Sequence, residues 1–271
     1  MHLGLIGYGS IGNELLGLIE GLPVERITIL VREGRENVAR DRLLSAHPGL
    51  EGRAVILSDG DAFLLARPDF VIEAAGHEAV CANAGKVLAA GIDLVLVSVG
   101  ALADEALHRR LRDTAARSGA RLILPSGAIG GIDLLAALAP AGDLKVRYFG
   151  AKPPQAWAGT PAAQATDLEA LAHAEQIFHG TAREAATAYP RNANVAATLA
   201  LAGAGFDATE VTLTADPAAQ GNSHRYEVVS PLATVSVEIS NRATGSNART
   251  SLATVYSVLR ELKNHLGPVS I

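Results

Sequence analysis

Short apolar runs and amphipathic segments alternate along the first half of the chain. The apolar runs show no polar–apolar alternation, which is typical of strands covered on both faces of a parallel sheet. They predict strands at residues 3–6, 27–31, 54–57, 70–75, 94–99 and 122–124. The intervening segments carry apolar residues at three- and four-residue spacing, which predicts helices at 11–20, 36–46, 78–90 and 104–118. This βαβ alternation indicates an α/β fold with a doubly wound parallel sheet.

The pattern changes after Pro125. The elements predicted there are helices at 134–138, 168–178 and 195–201, and strands at 210–213, 225–229 and 234–240. In the last strand Val235, Val237 and Ile239 share one face, which is typical of an antiparallel sheet with one buried face. The other two strands are expected to pair with it. The sequence therefore predicts a second, α+β domain that contains an antiparallel sheet.

A chain of 271 residues, 49% of them hydrophobic, is long enough to bury one or two cores. We expect an N-terminal Rossmann domain at 1–124 and an α+β catalytic and dimerisation domain at 125–249. The last segment, 250–271, begins with a long amphipathic helix that we expect to return to the first domain.

Composition and charge limit the kinds of molecule that the protein is expected to bind. The net charge of −5 and the absence of a basic stripe argue against nucleic acid, and the apolar runs are too short to span a membrane. The N-terminus has no basic region of the kind that opens a signal peptide. The single cysteine, Cys81, cannot form an internal disulfide, and we expect it to be a small buried side chain. A cytoplasmic protein that acts on a small molecule is the expectation.

A glycine-rich turn follows the first predicted strand and opens the first helix. Gly7-Tyr8-Gly9-Ser10-Ile11-Gly12 matches the G-x-G-x-x-G pattern of dinucleotide-binding folds. Free N–H groups at the helix start would then face the pyrophosphate. The predicted contacts are Gly7, Gly9, Ser10, Ile11 and Gly12.

The second predicted strand ends near Arg32 and Glu33 rather than at a single acidic residue. A guanidinium can bind the 2′-phosphate of NADP, whereas a carboxylate can bind the free ribose of NAD, so the cofactor is NAD or NADP. The nicotinamide half is expected at the carboxyl ends of later strands, beside Ala75, Gly76 and Ser98.

Of the eight histidines, one stands out. His224 follows a polar turn and begins a predicted strand, a position from which it could act as a general acid or base. His77 is expected either to start a helix or to line the cofactor cleft. Asn192 or Asn194 is expected to cap the helix at 195–201. The remaining histidines are expected on the surface: His2, His47, His108, His173, His179 and His265.

Five segments together resemble the L-aspartate dehydrogenase family in their order and spacing, over essentially the whole chain. They are Gly7 to Gly12, Pro125-Ser126-Gly127-Ala128-Ile129-Gly130-Gly131, Ala151-Lys152-Pro153-Pro154, Pro190-Arg191-Asn192-Ala193-Asn194-Val195-Ala196-Ala197 and Gly221-Asn222-Ser223-His224. One departure is the absence of proline in Asn247-Ala248-Arg249-Thr250-Ser251, where many relatives have Asn-Pro. We expect this to change only the start of the final helix.

The resemblance implies that His224 is the catalytic residue and that Ala128 and Asn194 contact the nicotinamide cofactor. It also implies a homodimer that interconverts L-aspartate with iminoaspartate or oxaloacetate and ammonia, with a role in supplying NAD biosynthesis. His224 would take the proton of the substrate ammonium and then activate water. Candidate contacts to the substrate are Lys152, Asn192, Asn222, Arg191 and Arg249.

Two other functions stay open from the residues alone. A homoserine dehydrogenase or dihydrodipicolinate reductase type of enzyme has the same N-terminal domain and a similar second half, but its specific lysine and basic motifs are not evident. A redox sensor that binds NAD(P)H without turnover would need no acid–base residue. No metal site is expected, because acidic residues and histidines do not occur together at ligand spacing.

Overall fold

The computed structural model describes residues 1–190, 192–242 and 251–270. The chain forms two compact units, one made of Met1–Pro125 with Val255–Ile271 and the other of Ser126–Thr254. Each unit is organised around one β-sheet.

The first unit is built on a six-stranded sheet of order β3-β2-β1-β4-β5-β6, in which every pair is parallel. This is the strand order of a dinucleotide-binding Rossmann fold, and it confirms the predicted fold class. The strands at 2–6, 26–30, 70–73 and 93–96 are almost entirely buried, because helices cover both faces of such a sheet, whereas the two edge strands are only partly buried. They are β1 (His2–Ile6), β2 (Arg26–Leu30), β3 (Ala54–Leu57), β4 (Phe70–Glu73), β5 (Asp93–Leu96) and β6 (Leu122–Ile123).

The helices of this unit follow the predicted spacing. Asp104 caps one of them by accepting a hydrogen bond from the N–H of Leu107, and Gly119 ends the same helix in the left-handed region. A π-helical segment, Val80–Ala84, interrupts the helix predicted at 78–90. The helices are α1 (Ser10–Leu18), α2 (Glu36–Ala46), α3 (Gly60–Leu65), α4 (His77–Ala79), α5 (Gly85–Ala89), α6 (Glu105–Ser118) and, after the second unit, α11 (Leu252–Leu266).

The second unit is built on a five-stranded sheet of order β11-β10-β7-β9-β8. The β7–β9 pair is parallel and the other pairs are antiparallel, so the sheet is mixed rather than purely antiparallel. The predicted strand at 210–213 is part of β9, which is separated from β11 by β10 and β7 and does not pair with it, because the unpredicted strand β7 occupies the centre. The strands are β7 (Lys145–Lys152), β8 (Glu175–Thr181), β9 (Thr209–Ala215), β10 (Ser223–Val229) and β11 (Thr234–Ser240).

The helix predicted at 168–178 is wrong. The Asp167 carboxylate accepts hydrogen bonds from the N–H groups of Glu169 and Ala170, closing a short turn, and β8 then pairs with β9. The helices of this unit are α7 (Ile132–Leu138), α8 (Ala162–Ala165), α9 (Ala182–Ala188) and α10 (Asn194–Ala202).

Three side chains lie elsewhere than expected. Cys81 is exposed, because it follows the inward-facing Val80 in the π-helical segment and consecutive side chains of a helix point in different directions. His2 and His47 are buried, and the Nε2 of His2 is hydrogen-bonded to the Thr28 hydroxyl at 2.8 Å. Within the described ranges, no helix has both the length and the apolar character needed to cross a membrane.

Candidate active site

The glycine-rich turn of the first unit has the shape that a dinucleotide requires. Gly7 has a φ of +97°, and a Cβ on Gly12 would lie only 2.6 Å from the carbonyl oxygen of Gly7. The Cα of Gly9, by contrast, faces open space. Helix α1 begins at Ser10 without a side-chain cap, so the N–H groups of its first turn are available to an anion.

A buried carboxylate organises the carboxyl ends of β4 and β5. Oε1 of Glu73 accepts hydrogen bonds from the N–H groups of Ala75 at 2.7 Å and Gly76 at 2.8 Å, and from the Ser98 hydroxyl at 2.9 Å. Its Oε2 accepts from the N–H of Ser98 at 3.0 Å. Burial raises the pKa of Glu73, and these hydrogen bonds oppose the rise. The fully buried Glu73 thus joins the two turns that contain Ala75, Gly76 and Ser98.

The turn after β2 presents Arg32 and Glu33 to solvent. Arg42, on α2, donates a hydrogen bond to the carbonyl of Tyr8 at 3.3 Å, and its guanidinium lies 5.2 Å from the centroid of the Tyr8 ring. The nearby Glu36 accepts a hydrogen bond from Ser58 that lowers its pKa. The exposed pair of opposite charge keeps both NAD and NADP compatible with this turn.

His77 is the first residue of α4, and burial lowers its pKa. Its Nε2 is buried and makes no hydrogen bond to any residue that the structure describes. His77 therefore occupies the helix-start position, one of the two roles expected for it.

In the second unit, the turn that contains Ala128 is fastened to the sheet at two points. The Tyr226 hydroxyl donates to the carbonyl of Gly130 at 2.8 Å, and the Asn241 amide donates to the carbonyl of Ala128 at 3.2 Å. Oδ1 of Asn241 in turn accepts from the Ser251 hydroxyl at 2.9 Å. Ala128 is buried within this arrangement.

His224 is the buried centre of a polar cluster on one face of the second sheet. Its Nδ1 lies 2.8 Å from the hydroxyl of Tyr148, and both side chains are buried. Its Nε2 is also buried, yet no described residue bonds to it. Burial, together with the charge of Lys152, lowers the pKa of His224 to about 3, so the imidazole is neutral at physiological pH.

Lys152, the last residue of β7, supplies a buried positive charge beside this histidine. Its Nζ donates to Oδ1 of Asn192 at 2.9 Å and lies 5.3 Å from the centroid of the Trp157 ring. In the described part of the chain it has no carboxylate partner. Burial lowers the pKa of Lys152 to about 8. A buried cation without a counter-ion is costly, which makes this position attractive to a carboxylate ligand.

Asn222 precedes β10 and is buried on the same face as His224. Its Oδ1 has no hydrogen-bond donor among the residues placed by the structure. The cluster formed by Tyr148, Lys152, Asn192, Asn222 and His224, which we call the His224 cluster, therefore has three kinds of group available to a ligand: an amide oxygen, an imidazole nitrogen and a cation.

The predicted caps of α10 are wrong. The helix begins after Ala193, which makes no side-chain cap bond, and Asn194 is its first residue. The amide of Asn192 is instead bonded to Lys152. The candidates Arg191 and Arg249 lie outside the described residues.

Three residues of the site were not predicted. Glu73 lies within a predicted apolar strand, and a lone acid in such a run is a signal of a buried role. Tyr148 and Gly150 belong to β7, which the sequence pattern did not reveal. No group of three or more His, Cys, Asp or Glu side chains within 1–190, 192–242 and 251–270 is arranged to hold a metal ion.

In comparisons with known proteins, the two halves of the chain match different families. Residues 7–125 match the family described as homoserine dehydrogenase, NAD binding domain. Residues 133–265 match the family described as aspartate dehydrogenase, C-terminal. L-Aspartate dehydrogenases from Cupriavidus necator and Pseudomonas aeruginosa are each 42% identical to the chain over the full length of both proteins. The chain belongs to the L-aspartate dehydrogenase family.

Solved structures agree with this assignment. The aspartate dehydrogenase from Thermotoga maritima is 29% identical, with a TM-score of 0.75 over 100% of this chain and 99% of that one. A dihydrodipicolinate reductase from Paenisporosarcina is 13% identical with a TM-score of 0.55, covering 98% and 94% of the two chains, and shares the fold alone. The matches to the second half therefore favour the aspartate dehydrogenase family over the other enzyme classes considered.

Proposed function

We propose that this chain catalyses the reversible, NAD(P)-dependent oxidative deamination of L-aspartate. The products are iminoaspartate and NAD(P)H, and water converts the imine to oxaloacetate and ammonia. Relatives 42% identical over their full length are named L-aspartate dehydrogenase. The observation that carries the proposal is the His224 cluster. Among the described residues, its buried imidazole nitrogen has no hydrogen-bond partner and its buried lysine has no carboxylate partner.

The first unit is proposed as the dinucleotide-binding domain. Gly7, Gly9, Ser10, Ile11 and Gly12 would hold the pyrophosphate through the open backbone at Gly9 and the free N–H groups of α1. The contacts proposed for the ribose and nicotinamide are Arg32, Ala75, Gly76, Ser98, Ala128 and Asn194. When bound, the nicotinamide supplies hydride chemistry at the α-carbon of the substrate.

The second unit is proposed as the catalytic domain. Lys152 would bind a substrate carboxylate, held in place by Asn192, and Asn222 would accept a hydrogen bond from the substrate nitrogen. Arg191 stays a candidate for the same carboxylates. His224 is the proposed catalytic residue, and Nε2 is its reacting atom because Nδ1 is bonded to Tyr148.

A homodimer in the cytoplasm is the proposed state of the protein. The apolar positions Val235, Val237 and Ile239 on the edge strand β11 stay partly exposed in the single chain, and Leu232 in the preceding turn is 70% exposed. A second copy would bury such a surface. Sedimentation of the purified protein tests this, since a monomer at micromolar concentration would contradict it.

A turnover assay tests the reaction. Purified chain is mixed with oxaloacetate, ammonia and either NADH or NADPH, and the loss of absorbance of the reduced cofactor is followed. We expect turnover with oxaloacetate plus ammonia, and with L-aspartate plus oxidised cofactor in reverse. Turnover with homoserine or dihydrodipicolinate but not with these substrates, or cofactor binding without any turnover, would contradict the proposal.

A further inference from the structure

Tyr148 and His224 form a buried pair whose geometry is set by the β7–β10 register. His224 lies opposite Gly150, and Tyr148 lies two residues before Gly150 on the same face of β7. The Tyr148 side chain therefore runs along the strand towards His224, and its hydroxyl reaches Nδ1 at 2.8 Å. A Cβ on Gly150 would lie 2.5 Å from that hydroxyl, so only glycine leaves room for it.

The hydrogen bond between these side chains admits two proton arrangements. In one, the phenol donates to Nδ1 and the imidazole proton is on Nε2. In the other, Nδ1–H donates to the phenol oxygen and Nε2 is an unprotonated acceptor. Which arrangement holds depends on where the phenol proton can go, because a buried donor that lacks an acceptor is unfavourable.

The surroundings of Tyr148 favour the first arrangement. The phenol is fully buried, and burial raises its pKa, so its oxygen keeps the proton. Within the described residues the hydroxyl has Nδ1 of His224 as its hydrogen-bond partner and no second acceptor. Donation to Nδ1 satisfies the phenol proton, whereas the second arrangement would leave it buried and unpaired. The first arrangement leaves the buried Nε2–H without an acceptor among the described residues, but a substrate oxygen can accept its hydrogen bond.

We propose that Tyr148 is a positioning residue that holds His224 in the tautomer with its proton on Nε2, so that the imidazole presents a hydrogen-bond donor to an oxygen atom of the substrate. This inference rests on the proposed function only for the identity of that oxygen. In the aminating direction it is the carbonyl oxygen of oxaloacetate and then the hydroxyl of the carbinolamine. A neutral imidazole suits this role, because its N–H group can polarise a carbonyl by hydrogen bonding while the ring carries no net charge.

The proposal changes the role predicted for His224 from the sequence. An imidazole with its proton on Nε2 has no lone pair at that nitrogen to accept another proton. Protonation at Nδ1 would instead make the ring a buried cation beside the charge of Lys152. His224 would therefore not remove the ammonium proton of aspartate. Aspartate would react at His224 as the free amine, with its proton already lost to solvent.

Nitrogen NMR of the free enzyme tests the tautomer without any turnover. The protein is prepared with ¹⁵N-labelled histidine rings, and a His224→Gln variant identifies the His224 signals among the eight histidines. At pH 7 we expect a pyrrole-type Nε2 and a pyridine-type Nδ1. A pyrrole-type Nδ1 with a pyridine-type Nε2 would overturn the proposal, whether or not the enzyme turns over aspartate.

Tyr148→Phe provides the matching variant. We expect the pyrrole character of Nε2 to decrease, and kcat with oxaloacetate and ammonia to fall roughly tenfold to a hundredfold, with little change in the KM for the reduced cofactor. Tyr189→Phe removes another buried tyrosine hydroxyl, bonded to the Ile177 carbonyl, and should leave the His224 signals unchanged. Unchanged nitrogen signals and kcat in a folded Tyr148→Phe variant would contradict the proposal.

Should Tyr148→Phe fail to fold, Gly150→Ala gives a second route. The added methyl would displace the phenol hydroxyl from Nδ1 while the tyrosine itself remains. The same loss of pyrrole character at Nε2 is expected, and an unchanged spectrum would count against the role of Tyr148. Because the spectra need no substrate, they separate failure of this inference from failure of the proposed reaction.

Discussion

Each unit buries a polar cluster at one end of its sheet, but the two clusters differ in how completely their hydrogen bonds are made. Glu73 in the first unit accepts four hydrogen bonds from two neighbouring turns. In the second unit, Nε2 of His224 and Oδ1 of Asn222 have no partner in the described part of the chain. Lys152 likewise carries a buried charge with no carboxylate partner there.

This difference separates polar groups that shape a site from those that bind its ligand. A buried group with all its hydrogen bonds made has no free capacity, and its role is to fix the groups around it. A buried group with free capacity is unfavourable in the absence of a ligand. Proteins keep such unfavourable groups, at a cost in stability, where activity requires them. We therefore expect substitution of Lys152 to stabilise the fold and substitution of Glu73 to destabilise it.

The largest effect is expected at His224. His224→Ala removes the imidazole from the proposed reacting position, so kcat should fall by roughly 10²-fold or more while cofactor binding stays nearly intact. His179→Ala, at an exposed position on β8, is the matched control and should keep full turnover. Steady-state kinetics with aspartate measure both, and equal kcat values in the wild type and in His224→Ala would remove His224 from the mechanism.

Acid should weaken the fold through the same imidazole. The folded pKa of His224, about 3, lies below its ordinary value of 6.5, so the unfolded chain binds a proton that the folded chain excludes. The free energy of unfolding should therefore fall by about 1.4 kcal/mol per pH unit between about 6.5 and 3 on account of this residue. Urea unfolding at pH 7 and pH 4.5 measures the fall. It should be shallower in His224→Ala, and equal falls in both proteins would contradict the burial described here.

Lys152→Met should weaken substrate binding and strengthen the fold. The thioether fills the same space beside Trp157 without a buried charge, so we expect Tm to rise by roughly 2–4 °C, equivalent to about 1 kcal/mol. The KM for aspartate should rise roughly tenfold or more, because a charged contact to a carboxylate is lost. Lys145→Met, at the exposed start of β7, should change neither quantity. A lower Tm with unchanged KM would show that Lys152 is structural.

Substitution of Glu73 is expected to have the smallest effect on turnover, but it should lower the stability of the fold. In Glu73→Gln one amide oxygen can still accept from Ala75 and Gly76, but the amide nitrogen opposes the N–H of Ser98. We expect a loss of roughly 1–3 kcal/mol of stability and weaker binding of the reduced cofactor, by about threefold to tenfold. Glu238→Gln, exposed on β11, serves as control. A stable variant with normal cofactor binding would contradict the role assigned to Glu73.

The first unit was largely predictable because its local patterns agree with its tertiary structure. Strands covered on both faces are continuous apolar runs, and the glycine loop after β1 fixes where the first helix begins. The predicted strands at 70–75 and 94–99 extend too far, because the small residues of the following turns resemble strand residues in composition. The role of Glu73 could not be predicted, because its carboxylate accepts hydrogen bonds from backbone N–H groups whose positions no sequence pattern shows.

The second unit was less predictable because its pairing is not local. β7 joins β10 and β9, which lie far from it along the chain, and its mixture of charged, aromatic and small residues gives no clear periodicity. His224 could be singled out as a candidate from its position after a polar turn. Its partner Tyr148, and the glycine that makes room for the phenol, depend on strand register and could not be read from the sequence.

The central claim is that Lys152, together with the groups of the His224 cluster that have no partner among the described residues, binds the substrate. A crystal structure with oxidised cofactor and a non-reactive dicarboxylate such as succinate tests it most directly. The account predicts a carboxylate within hydrogen-bond distance of Nζ of Lys152, with Nε2 of His224 facing the same ligand. Succinate bound elsewhere, with both nitrogens left without a ligand, would contradict it.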